Sequence, residues 1–371
     1  LGVDTKGDRN VAIGSAALAT QNFTTSTDSY NTAVGHNAGN AVTTGIENTF
    51  VGGLCGDATD DGAENTAVGS SALSANCGNN NTAMGRRALR VCTGADNTSI
   101  GHQSGIALTS GANNTFVGKS AGDATDDGVG NVAVGYNALG ANCANYNTAV
   151  GYEAGLTMTG GEGVFYGYLA GRSVTGGQNT MIGRGAGYDT TALTTGSQNT
   201  IVGMNCRTSA ADSTNQIVLG YNGAGNANSS FVICNAATDS AIALGATSIT
   251  APSDERYKEE ITDATAGLSF INDLRPVTFK WKKEKDVPSD HRAYVEGSET
   301  RVMLSQGETN HGFIAQEVKE AIDSHSEIQD GFDMWSEDET DGRQRLGPTA
   351  LVPMLVKAVQ ELSAEIDKLK A

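Results

Sequence analysis

Ser253 and Lys258 stand five positions apart (258 − 253 = 5) in the stretch Ser253-Asp254-Glu255-Arg256-Tyr257-Lys258. A hydroxyl with a lysine nearby is a pairing that can make a nucleophile without histidine or metal. The reaction open to it is attack on a carbonyl carbon, with the lysine taking the hydroxyl proton. An ordinary lysine, with a pKa near about 10.4, is a poor base, so the pair needs burial or a neighbouring cation to lower that value. Pro252 precedes the serine, and its ring restricts its neighbours and removes a donor, which works against cleavage at that bond. A Ser and Lys so spaced are, by themselves, usually a solvated surface pair.

Other residues offer weaker chemistry. Asp57, Asp60 and Asp61, with their copies Asp123, Asp126 and Asp127, are acidic clusters whose oxygens could collect a hard cation. Neither cluster matches the EF-hand loop or the calcium-binding nonapeptide, and a solvated turn is the stronger reading. Tyr136, Tyr146, Tyr152, Phe165, Tyr166 and Tyr168 gather within a few repeats, a patch that could stack on sugar rings or pack against another chain. Six Cys without a Cys-x-x-Cys pair give neither a disulfide framework nor a zinc site. They read as free thiols, with Cys77 and Cys143 as small packing residues. His311 reads as a packed or surface histidine. Glu153 and Glu162 lack the apolar setting of a glycosidase pair, and no Ser-His-Asp set or phosphate-cradling loop is present. No cofactor is expected.

The elements that would position these residues fall into two compositions. Upstream of Ser253 the chain is rich in Gly, Asn, Thr and Ala; downstream it is charged and amphipathic. With 48 Gly, 5 Pro and only 6% aromatics in 371 residues, the first part is too patterned for disorder yet poor in large core residues. A formal charge of −18 argues against nucleic acid and anionic membrane surfaces as partners. No apolar run approaches the roughly 20 residues that span a bilayer, and no signal peptide is read. A start at Leu1 rather than Met points to a fragment.

Within residues 1–205 a unit recurs as Asn-Thr-Ala-Val-Gly, two variable residues, then Ala-Gly or Ala-Leu, at a period of 16–17 residues between Asn48 and Asn179. In Thr66-Ala67-Val68-Gly69 a short strand would send one side chain inward and the next outward. The glycine permits a left-handed or close-packed turn, and the Asn can bond its own turn or stack on the next Asn. A second short strand or corner is expected at Ala121-Gly122 and Ala154-Gly155. Each unit buries little alone, so successive coils must stack. The block Asn48 to Gly62 returns as Asn114 to Gly128, an offset of 66 residues (114 − 48 = 66). The Asn-x-Thr triplets match a glycosylation acceptor but read here as a structural corner. This unit, with Asn10-Val-Ala-Ile-Gly14, resembles the repeats of trimeric adhesin heads, which implies a parallel β-roll in which three chains pack side by side. Residues 206–252, where the period loosens, are expected to form an irregular β neck.

From residue 253 to 371 the expected fold is α+β. Asp263 would cap a helix over 264–274 with Leu268, Ile271 and Leu274 on one face. Val277–Trp281 alternates as a strand, 282–309 forms a charged excursion, and His311–Ile314 leads as a strand into a helix over 315–322. In the last helix Val352, Leu355, Val359, Leu362, Ile366 and Leu369 step by threes and fours, the spacing of a coiled-coil seam. The alternative is a helix folded onto its own domain.

Four blocks in this part, Ser253-Asp254-x-Arg256-x-Lys258-x-x-Ile261, Leu274–Trp281, Gly312–Val318 and Ala350–Leu362, resemble the S74 peptidase family of intramolecular chaperones on phage tail spikes and fibres. The resemblance implies a domain that drives trimerisation and folding of the β-structured part ahead of it, then cuts itself off. The cut would fall at Pro252–Ser253, with Ser253 as nucleophile, Lys258 as base, and Asp254 and Arg256 in supporting roles. It also implies a homotrimer, a virion location after assembly in the host cytoplasm, contacts to other tail proteins, and a host glycan or protein receptor. The competing classes are a bacterial trimeric surface adhesin and a polysaccharide-degrading spike.

Overall fold

The strand Thr66–Val68 illustrates how one coil is made. Ala67 is fully buried while Thr66 and Val68 face outward. The strand pairs in parallel and in register with Thr49–Val51 before it and Thr82–Met84 after it, which sets Ala67 between Phe50 and Ala83. Repetition from Val11–Ile13 onward builds a 15-stranded sheet. The structure, a computed structural model, describes residues 4, 6–188, 193–236, 238–243, 255, 258–291, 293–302, 309–328, 332, 334–337 and 342–370. The chain divides into two units, Leu1–Ser253 and Asp254–Ala371.

Three-residue strands hold together because side chains extend the ladder. The carboxamide oxygen of Asn48 accepts the Asn65 backbone N–H at 3.0 Å, and its nitrogen donates to the Gly62 carbonyl at 2.8 Å. Asn65, Asn81 and Asn97 repeat the oxygen bond at 2.9, 3.1 and 3.0 Å, so the column runs along the solenoid and is buried throughout. A side chain here satisfies a backbone donor that the short strand leaves over. Gly163 breaks the column; a Cβ there would lie 2.7 Å from the Phe165 ring.

Glycine after each strand is a packing requirement. Gly69 has φ +139, and a Cβ on it would stand 2.6 Å from the Gly85 carbonyl of the next coil. Of the short strand or corner expected at Ala121-Gly122 and Ala154-Gly155, the corner is what forms, and Ala-Leu coils turn in the same way. Positive φ at Ser71 and Leu73 turns the chain, and the turn still bonds forward, Leu73 N–H to the Ala88 carbonyl at 3.0 Å.

Two combinations recur in the interior, beside coils that pair a small centre with glycine, Ala33 with Gly39, Ser99 with Gly105 and Ala149 with Gly155. Where the strand centre is Ala67, Ala83 or Ala133, the left-handed corner six residues on is Leu73, Leu89 or Leu139, each fully buried. Where the centre is Phe50, Phe116 or Phe165, that corner is Gly56, Gly122 or Gly171. A Cβ on Gly56 would reach the Phe50 ring at 2.5 Å. The six cysteines are free and buried in the same unit. Burial pushes the Cys55 and Cys92 thiols up to about 12 and Cys77 to about 11. Cys77 and Cys143 sit 3.2 Å from the hydroxyls of Thr59 and Thr125, the same contact 66 residues apart (143 − 77 = 66).

Past residue 205 the same sheet continues with longer strands as far as residue 243. Gln216–Tyr221 and Ser230–Asn235 are parallel strands of six residues, and Thr238–Ala243 adds the one antiparallel strand of this sheet.

The second unit has helices α1 (Leu268–Asp273), α2 (Ala315–Ser324) and α3 (Leu351–Lys370). Val277–Phe279 pairs antiparallel with Asn310–Gly312, and Trp335–Glu337 with Gln344–Leu346. Phe270, Val318, Ile322, Met334 and Leu351 form the core. Helix α1 is shorter than the spacing predicts, and Asp263 does not cap it. Gly267 enters with non-helical dihedrals, and the Leu268 N–H is taken by the Glu361 carboxylate of α3 at 2.8 Å. The 282–309 excursion is tied at its base by a Lys283–Arg301 bridge and by ion pairs of Lys283 and Lys285 with Glu299.

Candidate functional site

At the junction, Lys258 is described and exposed, and its backbone N–H donates to the Glu255 carbonyl at 3.0 Å. Pro252, Ser253, Asp254 and Arg256 lie outside the described residues. The blocks downstream of the junction are described.

Those blocks meet in space. The backbone ladder between Val277–Phe279 and Asn310–Gly312 sets Val277 opposite Gly312, which joins the second block to the start of the third. Arg275 then grips Glu317 with its Nε at 2.9 Å and one terminal nitrogen on the other carboxylate oxygen, and this fork holds the Glu317 carboxyl below its usual range. His311 is exposed on its strand. The last block enters through α3, whose Leu351 and Ala358 are buried and whose Glu361 caps α1.

Helix α3 uses one stripe for its own unit and leaves the neighbouring stripe open. Val352, Val359 and Leu369 are 57%, 64% and 87% exposed, and Leu355, Leu362 and Ile366 are exposed with them. The packed stripe and the stripe with a/d spacing are thus different faces, and the second stays exposed in the single chain. Among the described residues no helix is long and apolar enough to cross a membrane.

On the solenoid, the acidic turns do not gather their carboxylates. Asp60 and Asp126 accept the hydroxyls of Thr43 and Thr109, and their backbone N–H groups donate to Asn76 and Asn142 at 2.9 and 3.0 Å. Burial raises the Asp57 and Asp123 carboxyls. Among the described residues no three His, Cys, Asp or Glu converge as a metal site.

The aromatic patch sorts into separate columns. Phe165 is fully buried at a strand centre, in register with Ala149, and contributes nothing to a surface. Tyr166 stands in the outer column of the sheet, where Val68, Met84, Ile100, Val117 and Ile182 make an apolar line. Tyr146 stands by itself beside a shallow groove of about 470 Å³ lined by Gly160, Gly161 and Glu162. Tyr136, Tyr152 and Tyr168, each directly after a strand-ending glycine, stack with ring centroids 5.1 and 5.4 Å apart. Glu153 is paired with Arg172 at 2.5 Å rather than with Glu162.

Residues 253–326 match the family model Peptidase_S74, described as the chaperone of endosialidase. The match takes in the first three blocks; the fourth, on α3, lies beyond it. No curated protein and no solved structure matches the chain. A chaperone segment of this family following a β-solenoid fits a protein of the phage tail fibre or tail spike type.

Proposed function

We propose that the chain is a host-recognition part of a phage tail fibre or spike, and that its C-terminal unit brings three copies together before it cuts itself off. The observation that carries this reading is the apolar seam of α3, exposed on a helix already anchored to its own unit by another stripe. A row of large apolar side chains in water is the signature of a surface made for a partner, and a/d spacing selects parallel helices of the same kind. The apolar outer column of the sheet supports side-by-side packing of the solenoids in the same way.

The cut would follow from assembly. Packing of copies would desolvate the Lys258 amine, which is exposed in the single chain, and so make it a base. The Ser253 hydroxyl oxygen would bond to the Pro252 carbonyl carbon as Lys258 takes its proton. The carbon–nitrogen bond would then break, that proton passing to the released Ser253 amine. Water would hydrolyse the resulting ester to leave Pro252 as a new carboxylate.

Light scattering on the full chain carrying Ser253→Ala tests the assembly. Three copies are expected for this variant, and fewer when Val359→Asp is added, with the far-ultraviolet spectrum unchanged. A monomer before the second substitution would sink the reading.

A further inference from the structure

The tyrosine stack is the centre of a longer column. Directly after the strand-ending glycine, successive coils carry Arg86, His102, Lys119, Tyr136, Tyr152, Tyr168 and Arg184. Arg86 lies 3.4 Å from the His102 ring, Lys119 sits 5.4 Å from the Tyr136 centroid, and the Arg184 guanidinium 5.8 Å from that of Tyr168. Six steps of about 4.8 Å between coils make this line on the order of 30 Å long. Three permanent cations thus line up with three aromatic rings on a chain whose formal charge is −18. Glu153, the acid beside Tyr152, is neutralised by Arg172 at 2.5 Å.

We infer that this column binds an acidic polysaccharide, a chain of sugars bearing carboxylates, laid along the solenoid axis. The inference rests on the recognition role proposed above and names the ligand class and the site. Charge complementarity selects an anion, because the cations sit at both ends of the stack and hold its geometry before any ligand arrives. The stacking selects a polysaccharide over a nucleic acid. The ring faces are taken up by one another and by the flanking cations, so no face is left for a base to stack on. What the column offers outward is ring edges, hydroxyls and cationic nitrogens, which suit a ligand rich in hydroxyls and carboxylates. A duplex nucleic acid also carries a denser charge, which the acidic remainder of the chain repels.

Titration calorimetry on the assembled full chain, with polygalacturonate, neutral dextran and an oligothymidylate as probes, tests the column. Polygalacturonate is expected to bind, more weakly at high salt, and to lose about tenfold or more in affinity in the double variant Lys119→Glu with Arg184→Glu. Tyr152→Ser is expected to weaken it as well, while Tyr146→Ser, off the column, leaves it unchanged. Equal affinity in the double variant, equal binding of dextran, preference for the oligothymidylate, or loss of the assembled state in the double variant would each overturn the proposal. Adsorption of the wild type to host cells without polygalacturonate binding would overturn the column alone. Binding of polygalacturonate without adsorption to cells would keep the column and overturn the recognition role.

Discussion

The asparagine at the head of each coil works as a piece of backbone. Asn97 accepts the N–H of Asn114, the head of the next coil, at 3.0 Å and donates to the Gly111 carbonyl just before it at 3.0 Å. Asn97→Ala leaves these two buried groups unpaired and is expected to cost about 1–3 kcal/mol, read as faster hydrogen exchange at the Asn114 amide while distant coils keep their protection. The recurrence of Asn at 16–17 residues is plain in the sequence, and so is its choice between turn and ladder; which groups it meets needed the register. His325 is a residue whose role the sequence hides, since its partner Asp273 is far along the chain. Its ring bonds Asp273 at 2.9 Å and Glu327 at 3.1 Å, and the Asp273 bond first, then Glu327, raises its pKa against the opposing effect of burial. A raised value means the stabilisation is complete below the unfolded pKa of about 6.5 and is lost as pH climbs through the folded value. The second unit is therefore expected to melt at higher temperature in mildly acidic than in mildly alkaline buffer, and His325→Gln should flatten that difference.

At the level of elements, the coil interior carries a code for register. Phe with Gly and Ala with Leu are two recurring fillings, and Phe50 has room because neither Gly56 in its own coil nor Gly39 in the coil before carries a Cβ. Phe50→Ala is expected to destabilise by about 3–5 kcal/mol. Gly56→Leu should do at least as much harm through its clash with the ring, and the double substitution, which recreates the Ala67 and Leu73 combination, should recover part of the loss. Thermal melts of the three variants decide this; additive losses in the double variant would contradict a shared volume. The short strands were legible because alternation and glycine repeat so often, whereas the burial of Phe165 was not, because a lone Phe between Val164 and Tyr166 reveals its direction only once it is registered against Ala149. Similarly the exposed apolar stripe of α3 was written in its spacing, but the cap that Glu361 lends to Leu268 joins residues 93 apart. The pair Trp335–Glu337 with Gln344–Leu346 lies in charged sequence with no apolar alternation to announce it.

For the whole molecule, the difficulty is assembly. Units so alike can pair out of register by a whole coil, and long-range parallel pairing is slow to form. The Phe and Leu coils penalise such slips only after the coils have closed, so a unit that first aligns three chains by their last helices would act earlier. Its removal would then make the assembled state hard to undo, since unfolding would have to proceed without the element that guided folding. The junction, six residues at a change of composition, is where these demands meet. Intact-mass analysis of the purified chain is the most direct test. The wild type is expected to yield pieces of 252 and 119 residues (371 − 252 = 119), the second beginning at Ser253, while Ser253→Ala and Lys258→Ala stay whole. A wild type that has assembled into trimers and still has its full mass would contradict self-cleavage.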